Sequence, residues 1–270
     1  MGTTGTTGTT GTTRVAGTTG VGGYAGFAPA LHAEWIKIRT LRSLVGGLCA
    51  VLLATVVFSA FSVFSAQAGP GADGDDLDPL FSAFFGASFG QIAAIAFGTT
   101  AVSAEFQGGA LRVSLAAVPH RGRWFAAKLT AIALPVLAVG LVTGLVTWAV
   151  GGAVLGEKAD GLTAAEGLRG TIGCALYLTL MALLAAGLTM VLHSGTATLS
   201  ILIPFLLIVS FVLGDLSGNA ADLLPDRAGQ VVLHSRWDGI LGPWTGLAVT
   251  ALWTAAAVAA GAWRVRRRDA

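Results

Sequence analysis

One polar segment of the sequence, residues 105–128, gathers most of the side chains that could act on a partner. It begins with Glu105 and Phe106 and ends in a basic stretch that leads into a long apolar run. The glycine pair at 108–109 and the following proline predict a short helix that is interrupted and then stopped. The segment offers a carboxylate, several guanidinium groups and an aromatic pair, Trp124 and Phe125, which is the chemistry of charged docking. Taken alone, its basic residues also fit anchors at anionic lipid headgroups: Arg121, Arg123 and Lys128.

No other group of residues predicts catalysis, metal binding or nucleotide binding. The four histidines are scattered, without a second ligand at metal spacing. His193 and Ser194 lack a G-x-S-x-G motif, and together with Gly195 they predict a tight hairpin between two helices. The closest approach to a Walker A loop, residues 151–158, has Glu157 where the phosphate-binding lysine is required. We therefore expect no catalytic residue, no metal and no cofactor, and any ATP must bind to another chain.

The composition predicts that these residues sit in an all-α, polytopic membrane protein. Hydrophobic residues make up 54% of the chain and charged residues 11%, whereas a soluble domain has about 25% charged residues. Six apolar runs are each near the roughly 20 residues that cross a bilayer. None contains Asp, Glu, Lys or Arg, and their approximate bounds are 44–66, 81–104, 129–155, 171–192, 197–213 and 243–263. The net charge of +2 is too small to indicate a nucleic-acid partner.

The N-terminal part differs from the rest. Residues 1–28 are rich in Gly and Thr, cannot bury apolar area, and predict a disordered tail before a membrane domain over 29–268. An apolar stripe at helical spacing follows, with basic residues off the stripe. It predicts an amphipathic helix on the membrane surface, and its members are Leu31, Trp35, Ile38, Leu41 and Val45.

The distribution of positive charge predicts the orientation. With the N-terminus in the cytoplasm, 12 of the 16 Lys and Arg residues lie on the cytoplasmic side. The first outer loop then contains four aspartates and no basic residue. The positive-inside rule therefore predicts a multi-pass protein of the cell membrane with both termini in the cytoplasm.

The polar segment resembles the signature of permease subunits of the ABC-2 family of ATP-driven exporters. The residues that carry the resemblance are Glu105, Phe106, Gly109, Arg112, Pro119, Arg121 and Lys128. Residues 34–39 and 41–43 also look like the opening of that family, whereas Ala110 stands where the family often has Thr. The resemblance implies that residues 105–128, including Arg123, contain a coupling helix that docks on a separate ATP-binding subunit. It also implies a second permease subunit, identical or related.

These observations predict a permease subunit of an ATP-driven exporter. The absence of charge from all six runs weakens an ion-coupled mechanism and favours an apolar or amphipathic substrate. The alternatives are a membrane scaffold or immunity-type protein that transports nothing, and an intramembrane enzyme. Two further features stay open: residues 215–242 could cap the outer face or dip back toward the membrane, and the glycine pairs 86/90 and 140/144 permit close helix packing.

Overall fold

The fold is known from a computed structural model that describes residues 26–68, 78–108, 120–155, 163–209, 218–237 and 239–267, with Gly2, Ala110 and Ser114. These residues are helical and contain no strand. The α-helices are α1 (Phe27–Thr40), α2 (Arg42–Ala68), α3 (Pro79–Phe84), α4 (Ala87–Ser103), α5 (Arg121–Leu155), α6 (Ala164–Leu192), α7 (Gly195–Pro204), α8 (Pro225–Gln230) and α9 (Pro243–Arg267). Short 3₁₀ turns cover Ala104–Phe106, Gly218–Leu223 and Val231–Leu233, and a π-helical turn, Phe205–Val209, continues α7.

Five helical stretches in the described residues are long and apolar enough to cross a membrane. Each has 25 to 34 residues, above the roughly 20 that the hydrocarbon core requires. Their bounds are Arg42–Ala66, Pro79–Phe106, Arg121–Val154, Ala164–Leu192 and Pro243–Arg267. The prediction of an all-α, multi-pass architecture is confirmed at this level.

The fifth predicted run and some predicted boundaries differ from the helices that the structure describes. The run at 197–213 is described only to Val209, and its apolar helix, Gly195–Ile208, is shorter than 18 residues. The run at 81–104 is divided into α3 and α4 by a turn at Phe85 and Gly86. The expected tail was to end at residue 28, but α1 begins at Phe27, and the rest of the tail except Gly2 lies outside the described residues.

Helix α6 is the centre of the bundle, with α4, α5 and α9 packed around it. Small residues bring the helices together, as the two glycine pairs predicted. A Cβ on Gly140 or Gly144 would collide with the backbone of α6 at Ala175 and Thr171. A Cβ on Gly86 would collide with the carbonyl oxygen of Thr55 in α2. The expected close packing is therefore confirmed at both pairs.

The bundle has two ends of different character. At one, here called the basic end, α1 lies beside the last turn of α4 and the first turns of α5, and α9 finishes with the basic residues Arg264, Arg266 and Arg267. The opposite end carries Asp78 at the start of α3 and the segment before α9. The hairpin at the basic end between α6 and α7 forms as predicted: His193 adopts a left-handed conformation with φ of 56°, and Ser194 caps α7.

Residues 218–233, here called the inserted segment, enter the bundle at the opposite end between α6 and α9. The indole of Trp253 donates a hydrogen bond of 3.0 Å to the carbonyl of Leu223, and the hydroxyl of Thr250 donates one of 2.8 Å to the carbonyl of Pro225. Thr250 lies seven residues into α9, which is about 10 Å along the helix. The described part of residues 215–242 therefore packs back into the helix bundle.

Asp78 fixes the chain that leaves the inserted segment. Its carboxylate caps α3 through the amide of Phe81 at 3.0 Å. It also accepts hydrogen bonds from the amide of Ser235 at 2.9 Å and from its hydroxyl at 2.7 Å, and Nδ1 of His234 lies 3.3 Å away. Partial burial alone would raise the pKa of Asp78, but these contacts favour the ionised form and hold its pKa well below the usual range.

Candidate functional site

Helix α1 turns an acidic residue, not only apolar ones, toward the bundle. Its buried positions are Ala30, Glu34 and Ile38, which are four residues apart and share one face. Trp35 is 37% exposed and Leu41 41% exposed. The apolar stripe predicted from the sequence is therefore divided between the protein and its surroundings.

Glu34 reaches a buried group of four charges, here called the ion cluster. Its members are Glu34 and Lys37 on α1, Glu105 at the end of α4, and Lys128 on α5. Nζ of Lys128 lies 2.7 Å from Oε2 of Glu34 and 2.7 Å from Oε1 of Glu105. Nζ of Lys37 lies 2.9 Å from Oε1 of Glu34 and 2.9 Å from Oε1 of Glu105. Each carboxylate thus meets both ammonium groups.

Burial makes this arrangement energetically significant. Glu34, Glu105 and Lys128 are each less than 5% exposed, whereas Lys37 keeps 38% of its side chain exposed. A charge removed from water costs several kcal/mol unless it is paired, and here two acids and two bases balance. The hydroxyl of Ser114 donates a further hydrogen bond of 3.1 Å to the other carboxylate oxygen of Glu105. The charges of the ion cluster therefore balance one another within the protein.

The ion cluster also sets the protonation of Lys37. Burial lowers the pKa of its ammonium group, but the hydrogen bonds and charges of Glu105 and Glu34 outweigh that effect and raise the pKa above its usual value. Because the folded pKa is raised, the stabilisation is fully present below the pKa of a free lysine. It is lost only as the pH rises through the folded pKa. Lys37 is therefore charged at neutral pH.

The sequence-predicted site residues are dispersed between the interior and the surface. Glu105 and Lys128 are brought together, but both are buried. The aromatic pair was expected to face a partner and is buried as well: Trp124 is 2% and Phe125 6% exposed. That expectation is wrong for the pair, because both rings pack into the hydrophobic core. Phe106 packs against the imidazole of His193 with the ring centres 4.9 Å apart.

The remaining site residues lie nearer the surface or outside the described residues. Arg121 donates a hydrogen bond of 3.0 Å to the carbonyl of Val265 and so joins the start of α5 to the end of α9. Arg123 is exposed. Gly109, Arg112 and Pro119 lie outside the described residues, so their part in the site stays a prediction.

Glu34 and Lys37 were not predicted as site residues. Both stand in the stretch that resembles the ABC-2 opening, but helix periodicity placed them among the polar residues of a surface helix. One signal was present: Glu34 has Ala30 and Ile38 as its neighbours at a spacing of four, which puts a carboxylate in the middle of an apolar face. A carboxylate in that position requires a cationic partner from another element.

The site as a whole is suited to holding elements together. Among the described residues, no group of three or more His, Cys, Asp and Glu side chains could hold a metal ion. Both carboxylates of the ion cluster pair with ammonium groups, so the cluster serves to join α1, α4 and α5. Comparison of the chain with protein-family models and with curated protein sequences gives no match.

Proposed function

We propose that this chain is the membrane-spanning permease subunit of an ATP-driven exporter, and that its energy comes from a separate ATP-binding subunit. The support is the resemblance of residues 105–128 to ABC-2 permeases together with the way the ion cluster holds that segment. The chain itself supplies the helices and the mechanical connection. It performs no hydrolysis.

The observation that carries the proposal is the anchoring of residues 107–120, here called the elbow. Glu105 lies two residues before the elbow, and Lys128 lies two helical turns after it. They are joined by a 2.7 Å ion pair, and both also bind α1, through Lys37 and Glu34 respectively. A force on the elbow would therefore reach α1, α4 and α5 together. A coupling element needs such a rigid attachment.

In this proposal the site residues have two different roles. Glu105 and Lys128 are positioning residues, because burial keeps both from direct contact with a partner. Contact with the ATP-binding subunit falls to the exposed part of the segment, which includes Gln107 and Arg123. By resemblance, Gly109, Arg112 and Pro119 belong to the same surface, and Arg121 links it to α9.

We propose six membrane crossings, with the basic end in the cytoplasm. α6 ends at the basic end and α9 begins at the opposite end, which supports a further crossing by the chain between them. α7 starts beside Ser103 at the basic end, and its continuation reaches a cavity beside Phe81 at the other. Both ends of the described chain, α1 and the last turn of α9, are basic and lie at one end, as the positive-inside rule favours for cytoplasm. On this topology α1 lies along the inner membrane surface.

We further propose that two such permease subunits pair and move an apolar or amphipathic substrate. Large apolar side chains cover one side of α2, and Leu53, Val57, Phe61 and Phe64 are each more than half exposed. Such a surface suits lipid or a neighbouring subunit. The lack of acidic and basic residues in the predicted apolar runs supports a substrate that needs no buried charge to bind it.

The test is to express the chain together with each ATP-binding protein whose gene adjoins its own, and to purify any complex in lipid nanodiscs. We expect the two proteins to co-purify and the chain to change the rate of ATP hydrolysis. Glu105→Gln should leave the chain inserted and bring the hydrolysis rate back to that of the free ATP-binding subunit. Glu166→Gln is the matched control, since Glu166 is a capping residue at the start of α6 and Gln can take its place.

Two results would contradict the proposal. If no ATP-binding protein associates with the wild-type chain, the result favours the alternative of a membrane scaffold that transports nothing. If Glu105→Gln stays folded and the complex keeps its full response, the ion cluster does not couple the subunits.

A further inference from the structure

The inserted segment lines a cavity at the opposite end of the bundle from the ion cluster. The cavity has a volume of about 430 Å³, within the range of small-molecule sites. One wall consists of Phe81 from α3, Phe85 from the turn that follows, and Phe89 from α4. Another consists of Leu206 and Leu207 from the π-helical turn. The aromatic wall is ordered by its own contacts: Phe89 stacks on Phe58 with ring centres 3.9 Å apart, and Phe81 stacks on the imidazole of His234. The cavity is therefore a preformed space with flat apolar sides.

The floor of this cavity is polar, and a chain of hydrogen bonds fixes its polarity. Ser88 donates to the amide oxygen of Gln230 at 3.0 Å, and the amide nitrogen of Gln230 donates to the hydroxyl of Tyr177 at 3.1 Å. The hydroxyl of Tyr177 in turn donates to the amide oxygen of Gln91. Since each group donates in the same direction, the oxygen of Gln91 is occupied as an acceptor and its nitrogen remains a donor.

The amide nitrogen of Gln91 has no hydrogen-bond partner among the residues that the structure describes. Gln91 is only 3% exposed, and it lines the cavity. An amide N–H group that lines a cavity and has no protein acceptor can donate its hydrogen bond to a ligand. The floor therefore offers one oriented donor at the bottom of an aromatic-walled space.

The charged groups that line the cavity carry both signs. Asp222 and Asp226 contribute carboxylates, while Arg227 contributes a guanidinium group and His234 an imidazole. Because both signs are present, the selective features are the flat walls and the donor. A planar aromatic body would fill the space between the phenylalanine and leucine walls, and an oxygen acceptor at its leading end would meet Gln91.

We propose that this cavity binds a planar aromatic amphiphile whose carbonyl, ether or hydroxyl oxygen accepts a hydrogen bond from the side-chain amide of Gln91. The binding itself requires no ATP-binding subunit. That the ligand is exported cargo rests on the proposed function, and the test below separates the two because it measures binding to the isolated chain.

Two probes that differ by one acceptor test the site directly. The full-length chain is placed in nanodiscs, and the binding of 1-acetylpyrene and of pyrene is measured by equilibrium dialysis against empty nanodiscs. We expect saturable binding with 1-acetylpyrene preferred. Gln91→Met should weaken the binding of 1-acetylpyrene by about tenfold and leave the binding of pyrene unchanged. The thioether keeps the length of the side chain and a weak acceptor for Tyr177 but has no N–H donor.

Two more variants separate the site from general effects. Leu207→Trp places a larger side chain in the cavity and should weaken the binding of both probes. The fold should tolerate this change, because Leu207 is 48% exposed. Gly46→Ala, a change in α2 with open space around it and outside the cavity lining, should alter neither. The proposal is overturned if neither probe saturates, if the wild type binds both equally, or if Leu207→Trp leaves the binding unchanged. It is also overturned if a folded Gln91→Met variant retains the preference for 1-acetylpyrene.

Discussion

Replacing Glu105 by Gln probes the ion cluster with almost no change in side-chain shape. In the wild-type chain two carboxylates and two ammonium groups give a net charge of zero, and the variant leaves a net charge of +1. Lys37 can turn toward water, since 38% of its side chain is exposed, but the side chain of Lys128 is only 6% exposed. Removal of one partner from a buried pair typically costs about 3 to 5 kcal/mol. We expect about 3 kcal/mol, the lower end, because Glu34 still pairs with Lys128.

A double-mutant cycle distinguishes charge pairing from general damage. Lys128→Met alone leaves two carboxylates with one ammonium group, so it should also destabilise. The double variant keeps only Glu34 and Lys37, which again balance and already contact each other at 2.9 Å. Its loss of stability should therefore be smaller than the sum of the single losses, by at least about 1 kcal/mol.

The free energies of unfolding would be measured by SDS titration in mixed micelles, with helicity followed by circular dichroism. Glu166→Gln is the control, because Glu166 is partly exposed and Gln can keep its capping role, so stability should change by no more than about 0.5 kcal/mol. Losses that add within about 0.5 kcal/mol would show that Glu105 and Lys128 act independently. That result would refute the ion cluster as a joint.

Three other predictions follow from separate parts of the molecule. Asp78→Asn should destabilise the chain by about 1 to 3 kcal/mol at pH 7. Because the folded pKa of Asp78 is lowered, the difference from wild type should hold at neutral pH and shrink as the pH falls below about 4; a constant difference in unfolding titrations from pH 7 to pH 3 would contradict this. Gly98→Ala should cost about 1 to 3 kcal/mol, since the new Cβ would overlap the carbonyl of Ala182, whereas Gly46→Ala, with open space around it, should be neutral or slightly stabilising in the same unfolding assay. In a cysteine-free background, a membrane-impermeant maleimide applied to intact cells should label Ile240→Cys and spare Gln107→Cys; labelling of the latter would reverse the proposed orientation.

Much of the architecture could be read from local patterns. An apolar run of sufficient length forms a helix in lipid because the backbone has no water to bond with. That reasoning found five spans that the structure describes as long helices. It could not reveal that Gly86 interrupts the second apolar run, because the break depends on the approach of Thr55 from α2. For the same reason the insertion of residues 218–233 stayed open until α6 and α9 were seen to surround them.

The candidate site was recognised only in part. Glu105 and Lys128 were selected because they flank a polar elbow between apolar runs. Their burial was not expected, and neither was the contribution of α1. Glu34 and Lys128 are 94 positions apart in the sequence, and no periodic pattern connects such residues. The aromatic pair beside Lys128 was misjudged because polar neighbours in sequence suggested a surface that the packing of α5 turns inward.

The sequence alone determined the surroundings of this protein, because a chain so apolar and so poor in charge must be helical and embedded in lipid. Only the tertiary structure decided which of its few charges face one another. Hydropathy and helical periodicity are properties of neighbouring residues, whereas the ion cluster and the amide donor of Gln91 arise where helices distant in sequence meet. At those meeting points burial removes water, so the partner available in space, and not the residue type, sets whether a polar group is satisfied.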